Sequence, residues 1–378
     1  MQLLIGGDLV PTQSNVGIFC AGNMDALLGK KLASLWSDSD IRIFNLEVPL
    51  TDKVKPIPKC GPNLRTSTDT IKGIKALNPS LIALANNHIL DQGIQGLEST
   101  VRTLFEGNIP CVGVGDNKYE ACKPYIFRRD GFNIGIYACT ENEFSIATDK
   151  SAGANPFDPL ESLDQVAELK SKCDYVIILY HGGKEHYRYP SPYLQKICRK
   201  MVQKGADLVV CQHSHCIGCY EIYEEATIVY GQGNFLFDYS DNEFWKTSIL
   251  IKVDIKDRPH IEYIPIVKNG NAVCLAEGPA AKDILAGFQK RSVEILQDDF
   301  VEQEYLRFAV DNLLFYEKHF AGFGKWLSRI DRRLFKGALL KRKYNNNQLL
   351  TIQNFIECEA HRELILAGLK EHNERGKE

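Results

Sequence analysis

Histidine, asparagine and carboxylate side chains repeatedly follow short apolar runs in this sequence. The clearest case is residues 81–93, LIALANNHILDQG, where five apolar residues precede Asn86, Asn87 and His88. A strand buried on both faces cannot hold such side chains within its ladder, so we expect them at its carboxyl end, where α/β proteins bind ligands. A histidine there can bind a metal or donate a proton, and an asparagine oxygen can bind a hard cation. The alternative is a capped turn, because Asn and Asp are good helix N-caps.

Four other apolar runs end in the same kind of residue. They are 2–7 before Asp8, 41–44 before Asn45-Leu46-Glu47, 175–180 before His181, and 208–211 before His213 and His215. A lone histidine at a strand end is more often a structural residue, but five such ends in one α/β layer indicate a shared site. Carboxylate, imidazole and amide oxygen together suit Mn, Fe or Zn. The pattern predicts a dinuclear hydrolytic centre, in which a bridging carboxylate holds two divalent ions about 4 Å apart.

His213 and His215 are the most informative pair. Alternate residues of an extended segment point to the same side, so these two imidazoles are expected to face adjacent metals. This expectation depends on residues 213–215 being extended.

These residues require a layer of buried strands connected by helices. Strands are predicted at 2–7, 41–44, 80–85, 111–115, near 125–139 as a pair, 175–180 and 208–211, with helices at 94–106 and 193–204. Residues 48–68 are predicted to be a long loop, in which Lys55, Lys59 and Arg65 meet either solvent or an anionic substrate. Residues 219–267 are predicted to form hairpins, with 231–238 at the tip of one. Long helical patterns begin near Gly278, which predicts two domains, 1–277 and 278–378.

Composition excludes several classes of protein. The 378 residues carry a net charge of −3, which gives no reason to expect a nucleic acid partner. No apolar run reaches the roughly 18–20 residues of a membrane span, and the amino terminus lacks a basic region followed by an apolar core. A cytoplasmic protein is therefore expected. The twelve cysteines are scattered and predicted to be reduced and mostly buried, the alternative being zinc binding by Cys216-x-x-Cys219.

Seven motifs occur in an order that is found in a known family. They are Gly7-Asp8, Asn45-Leu46-Glu47, Ala85-Asn86-Asn87-His88-x-x-Asp91-x-Gly93, His181-Gly182-Gly183-x-Glu185, Gly205-Ala206-Asp207, His213-x-His215 and Gly233-Asn234-Phe235-x-Phe237-Asp238. Over roughly residues 1–265 the sequence resembles the CapA/PgsA-type capsule and poly-γ-glutamate biosynthesis proteins, within the calcineurin-like metallophosphoesterase superfamily. The resemblance implies a four-layer α/β/β/α sandwich, here followed by an all-helical carboxyl-terminal module.

The resemblance also implies a role for each site residue. Glu47 would bridge two divalent ions, with Asn87, His181 and His213 on one ion and Asp8 and His215 on the other. His88 would donate a proton to the leaving group and Asp91 would orient it. Asn86, Glu185, Asn234 and Arg65 are expected to bind substrate. Two positions depart from the superfamily: Val10 replaces the histidine of its Asp-x-His motif, and Glu47 replaces an aspartate. The ion held by Asp8 and His215 is therefore expected to bind more weakly than the other.

Two functions remain open at this point. The first is a metal-dependent hydrolase that acts on a phosphoester or on an amide of an anionic polymer. The second is a non-catalytic accessory subunit of a capsule or polyglutamate synthase. His88 favours the hydrolase, because metal binding alone does not require an imidazole that is not a ligand.

The carboxyl-terminal module contains apolar residues at helical spacing and a cluster of basic residues near 325–343. One alternative is a helix that packs its apolar side on the rest of the protein and exposes its basic face to solvent. The other is docking on an anionic membrane surface, an anionic polymer or a synthase complex.

Overall fold

The apolar runs of the sequence form strands in the computed structural model, which describes residues 1–129, 131–238, 240–255 and 259–375. The strands are β1 Gln2–Val10, β2 Ile41–Leu46, β3 Leu81–Ala83, β4 Cys111–Val112, β5 Val114–Gly115, β6 Tyr125–Arg129, β7 Phe132–Thr140, β8 Gly153–Ala154, β9 Tyr175–His181, β10 Leu208–Gln212, β11 Tyr220–Tyr223, β12 Ala226–Tyr230, β13 Asn234–Phe237, β14 Thr247–Asp254, β15 His260–Asn269 and β16 Ala272–Leu275. Each of the strands predicted before residue 212 is present, with shifted ends and with 111–115 divided in two.

Helices lie in the connections from β1 to β4, between β5 and β6 and from β8 to β10, and further helices follow the last strand. They are α1 Val16–Ala21, α2 Met24–Asp38, α3 Ile71–Ala76, α4 Gly93–Glu106, α5 Lys118–Ala121, α6 Ser162–Lys170, α7 Pro192–Gln203, α8 Gly278–Glu294, α9 Phe300–Phe320, α10 Lys325–Leu334, α11 Ala338–Lys343, α12 Asn346–Glu357 and α13 Glu359–Arg375. Short 3₁₀ turns occur at Thr68–Thr70 and Glu243–Trp245. Among the described helices, none is long and apolar enough to cross a membrane.

Two sheets pack face to face in the first part of the chain. One has the order β16-β15-β14-β1-β2-β3-β4, with β13 beside β1, and the other has the order β11-β12-β10-β9-β7-β6. Their facing sides bury one continuous apolar core, formed by residues such as Leu3, Ile5, Ile43, Ile136, Ile177 and Val210. Because alternate residues of a strand point to opposite faces, the other side of each sheet is free to bury helices.

Helices cover both outer faces. Phe19, Trp36 and Ile74, from α1 to α3, pack with Phe44 of the first sheet. Leu169, Ile197 and Met201, from α6 and α7, pack on the second sheet in the same way. The four-layer α/β/β/α sandwich predicted for this chain is therefore confirmed, as is the helical character of the carboxyl-terminal residues.

Strand β13 does not lie at a hairpin tip, so the prediction for residues 231–238 is wrong. It pairs in parallel with β1, and Asp8 is aligned with Asn234. The two backbones approach closely at Gly7, where a Cβ atom would lie 2.1 Å from the carbonyl oxygen of Gly233. Only glycine fits at this position. The long-range pairing places Asn234 beside the end of β1, where the chain's polar residues converge.

The chain divides into two compact units, Met1–Glu302 and Gln303–Glu378. The sequence predicted the division at 277/278. Helix α8 belongs to the first unit because Phe288 is buried against Tyr220 and Tyr263, with ring centroids 5.1 and 4.9 Å apart. Residues 376–378 of the predicted module lie outside the described residues.

Candidate metal centre

Strand pairing brings the predicted ligands to one edge of the sandwich. In the first sheet, Asp8 of β1 is aligned with Asn45 of β2. In the second sheet, His181 of β9 is aligned with Gln212 of β10, so that His213 follows directly beyond it. All six predicted metal ligands are buried. Three come from each sheet: Asp8, Glu47 and Asn87 from the first, and His181, His213 and His215 from the second.

Glu47, His181 and His213 form one group whose ligand atoms all lie within 4.8 Å of one another. Nε2 of His181 lies 3.2 Å from Oε1 of Glu47 and 3.2 Å from Nδ1 of His213. Oδ1 of Asn87 lies 3.1 Å from the same His181 nitrogen. The structure therefore places together the four side chains expected to bind one ion.

Asp8, Glu47 and His215 form a second group of the same compactness, and it shares Glu47 with the first. Oδ2 of Asp8 lies 3.8 Å from Nδ1 of His215 and accepts a hydrogen bond from the backbone N–H of His213 at 3.0 Å. Asn45 donates to the other Asp8 oxygen at 2.8 Å. This group has the carboxylate of Asp8, the imidazole of His215 and the shared carboxylate of Glu47. Val10 stands at the sequence position where a further imidazole was to be expected.

The surroundings of Glu47 fit a pair of cations. Both of its carboxylate oxygens are buried, and among the described residues neither accepts a hydrogen bond of good geometry; the His181 imidazole, 3.2 Å from Oε1, is the cationic group beside them. Leaving a buried polar atom unpaired costs about 1–3 kcal/mol, and more for a charged one, so such atoms call for a specific explanation. Divalent ions on either side would satisfy both oxygens, and the mixed carboxylate, imidazole and amide donors suit Mn, Fe or Zn. The residues present therefore fit a dinuclear centre.

The charges of the cluster displace its pKa values in opposite directions. Burial, together with the negative charge of Glu47, raises the pKa of Asp8. Burial opposes ionisation of Glu47 as well, but His181 and His215 outweigh it and lower the pKa of that carboxyl group. Burial and the neighbouring His181 lower the pKa of His213 well below its ordinary value. A neutral His213 and an ionised Glu47 are the forms that bind a metal.

His213 and His215 face the site for a reason that differs from the predicted one. Neither is extended: both have positive φ angles, of 81° and 53°. Residues other than glycine adopt this left-handed region at a cost of about 1–3 kcal/mol, and such strain is concentrated at functional sites. The segment that follows β10 therefore turns sharply twice, and both imidazoles reach the cluster because of those turns. The prediction that residues 213–215 form an extended segment is therefore wrong.

His88 and Asp91 lie together beside this cluster, and Lys59, predicted to meet either solvent or an anionic substrate, contacts both of them. Nδ1 of His88 is 2.5 Å from Oδ2 of Asp91, which leaves Nε2 for proton transfer. Lys59, from the loop between β2 and α3, pairs with the other Asp91 oxygen and lies 3.3 Å from Nδ1 of His88. Its side chain is only 2% exposed. Lys59 is thus neither solvated nor available to a substrate, and it connects the loop to the buried Asp91.

Replacing Lys59 by methionine is expected to lower the free energy of unfolding by about 3–5 kcal/mol, because it leaves a fully buried carboxylate without its counter-ion. Urea denaturation measures the change. Lys55→Met is the matched control, since Lys55 is exposed on the same loop and its replacement should stay within about 0.5 kcal/mol. Equal stability of the two variants would show that Lys59 has no such role.

The four residues expected to bind substrate lie in different surroundings. Asn86 is fully buried and uses its amide internally, donating to Asn45 and to the carbonyl of Leu46. Its oxygen accepts from the backbone N–H of His88, so Asn86 positions His88. Asn234 is buried at the cluster, with its Oδ1 2.9 Å from Nδ1 of His215. Of the four, Asn86 is therefore the least accessible to a substrate.

Glu185 and Arg65 are both exposed. Glu185 lies on the loop after His181 and is not part of either ligand group. Arg65 lines a cleft of about 610 Å³ together with Val10, Thr12, Phe237 and Asp238. Two neighbours of the cluster, Asn45 and Trp245, were not predicted as site residues. The ring of Trp245 lies 4.6 Å from that of His215 in a tilted arrangement, but a single aromatic residue in a short 3₁₀ turn gives no sequence signal of such a role.

Residues 2–239 match the family model of the bacterial capsule synthesis protein PGA_cap, which is well over half of the chain. The chain belongs to the PGA_cap family. It is 29% identical over 230 residues to the capsule biosynthesis protein CapA of Bacillus anthracis, covering 58% of this chain and 56% of that protein. It is also 28% identical over 225 residues to a probable polyglutamine synthesis accessory protein of Mycobacterium tuberculosis, covering 56% of this chain and 59% of that one.

The chain spans a little over half the length of both relatives. Among solved structures it is similar to a novel phosphatase of Mycoplasma pneumoniae, with 15% identity, a TM-score of 0.44, and coverage of 71% of this chain and 94% of the other. The PGA_cap match includes every predicted ligand, from Asp8 to His215, and also Asn234. It ends before β14, so the second compact unit lies outside the matched residues.

Proposed function

We propose that this PGA_cap protein is a dinuclear metal-dependent hydrolase that acts on a phosphoester, or on an amide of an anionic polymer, in capsule or poly-γ-glutamate metabolism. The proposal rests mainly on Glu47, whose two buried oxygens accept no hydrogen bond of good geometry among the described residues and which belongs to both groups of ligands. A carboxylate in this position suits two ions at once. When bound, such ions supply an activated water and Lewis acidity toward the bond to be cleaved.

The side chains around the cluster have separate tasks in this proposal. His88 is the proton donor, because Asp91 occupies its Nδ1 and leaves Nε2 for the leaving group. Asn86 holds the backbone of His88 in place. Asp91 is itself held by Lys59 and by the backbone N–H of Leu64, 2.6 Å from Oδ2. A general acid fixed in this way contributes typically about 10²–10⁴-fold to a rate.

An activity screen at saturating Mn²⁺ tests the proposal. Phosphoesters and γ-glutamyl amides are the two substrate classes to compare, with chelator-treated protein as the blank. We expect turnover that rises with added Mn²⁺ and falls with chelator, because the group around Asp8 lacks one imidazole and binds its ion weakly. No metal-stimulated turnover on either class would remove the hydrolase proposal.

A non-catalytic accessory role is the second candidate. It is favoured by the name of the mycobacterial relative, a probable accessory protein of polyglutamine synthesis. In that case the pocket would bind a ligand without turning it over. Glu47→Gln would then leave partner binding intact, whereas it should abolish the activity of a hydrolase.

A further inference from the structure

The second unit contains a short segment in which large apolar side chains face solvent. Helix α10 places Trp326, Leu327, Ile330 and Leu334 on one side at helical spacing. All four are exposed, Trp326 by 77% and Leu334 by 74%, and Phe335, which follows the helix, is 46% exposed. Exposed apolar clusters of this kind mark interaction sites.

The same segment is strongly basic. Residues 320–345 contain eight lysines and arginines and a single aspartate, a net charge of +7 in a chain whose total is −3. Six of the basic residues are exposed: Arg329, Arg332, Arg333, Lys336, Arg342 and Lys343. The side chains of the other two, Lys325 and Lys341, lie outside those that the structure describes. The one aspartate, Asp331, is buried, so the charge that this segment presents to solvent is positive.

Asp331 holds the segment together. Its Oδ1 accepts a hydrogen bond from the backbone N–H of Leu339 at 3.0 Å, and its backbone carbonyl oxygen accepts one from the backbone N–H of Gly337 at 3.0 Å. These bonds fix the turn that joins α10 to α11, and both of these helices carry basic residues. The Arg329 guanidinium lies 5.8 Å from the centre of the Trp326 ring, so charged and apolar groups adjoin directly.

We infer that this segment, residues 320–345, docks on the surface of an anionic lipid bilayer. An aromatic and leucine-rich side beside an arginine-rich side is the composition of helices that lie in the plane of a membrane interface. A soluble anionic polymer would neutralise the arginines but leave Trp326 and Leu334 in water. An anionic bilayer satisfies both, because its headgroups meet the arginines while its acyl region buries the apolar side chains.

Sedimentation of the full-length protein with vesicles tests the inference. With about 30% anionic lipid at low salt, partitioning should be at least about tenfold stronger than with neutral vesicles, and high salt should weaken it. Trp326→Ser with Leu334→Ser, and separately Arg329→Gln with Arg332→Gln and Arg333→Gln, should each reduce binding about tenfold or more. Phe105→Ser is the matched apolar control, since Phe105 is 79% exposed in the first unit. Lys30, Lys75 and Lys123, all changed to glutamine, form the charge control.

A second measurement needs no variant. Trp36 and Trp245 are buried, so a blue shift of tryptophan emission on adding anionic vesicles reports Trp326. We expect this shift, and quenching by brominated lipid. Absence of sedimentation and of any shift would overturn the inference. Binding that is lost with the arginine variant but unchanged by Trp326→Ser with Leu334→Ser would also overturn it. Such a result is expected of a surface that binds a soluble polyanion through charge alone.

Discussion

Alanine in place of His88 is expected to lower kcat by about 10²–10⁴-fold and to leave the metal content of the protein unchanged. His88 lies beside the two ligand groups but belongs to neither. Its Nδ1 is engaged by Asp91, so the ring is oriented for proton transfer and not for binding an ion. Elemental analysis and steady-state kinetics on the same preparations separate these two properties.

The leaving group provides the internal control for this prediction. A substrate with a very acidic leaving group, such as a nitrophenyl ester, needs little protonation and should lose far less rate in His88→Ala than an alkyl ester does. His260→Ala, at an exposed position on β15, should behave as wild type. Loss of metal in His88→Ala would instead place His88 among the ligands.

Glu47→Gln is expected to remove metal binding at both positions, because Glu47 is the residue that the two ligand groups share. His213→Ala should affect mainly the position that includes His181 and Asn87, and should leave the content of the other closer to wild type. Elemental analysis after reconstitution with Mn²⁺ measures both, again with His260→Ala as the control. Equal metal content in Glu47→Gln and wild type would refute the assignment.

Thermal unfolding gives a readout of the same prediction that does not depend on activity. A ligand that binds only the folded state stabilises it by about 2.7 kcal/mol at 100 times its Kd. Added Mn²⁺ should therefore raise the Tm of wild type and of His260→Ala, but not that of Glu47→Gln. The neutral amide should also tolerate the buried position without metal, so the variant is expected to remain folded.

Much of the fold could be predicted because its signals are local. The runs before Asp8, His181 and His213 are apolar, short and followed by polar residues, which is what a strand buried on both faces requires. The helices at 93–106 and 192–203 have apolar residues at helical spacing and begin close to where the sequence predicts. The individual roles of Glu47 and Asn87 came from family resemblance, since spacing alone does not assign a ligand to an ion.

The features that escaped prediction depend on contacts between distant residues. Strand β13 has only four residues, and it is stabilised by pairing with β1, more than 220 positions away. Lys59 lies in a loop without periodicity, so nothing in the sequence connects it to Asp91. The positive φ angles of His213 and His215 are imposed by the turns after β10, and neither residue type indicates them. Helix α8 has the helical pattern of the residues that follow it, and its contacts with distant residues, such as those of Phe288 and Ser292, assign it to the first unit.

The equal division of the six ligands between the two sheets has a consequence for folding. Neither sheet alone presents more than half of the set, and Glu47 meets His181 and His213 only after the two apolar faces have closed on each other. A nascent chain that has made only β1 to β4 therefore has no complete cluster to offer a cation. Both complete ligand groups therefore exist only once the two sheets have docked, and we expect tight binding of an ion to follow that docking.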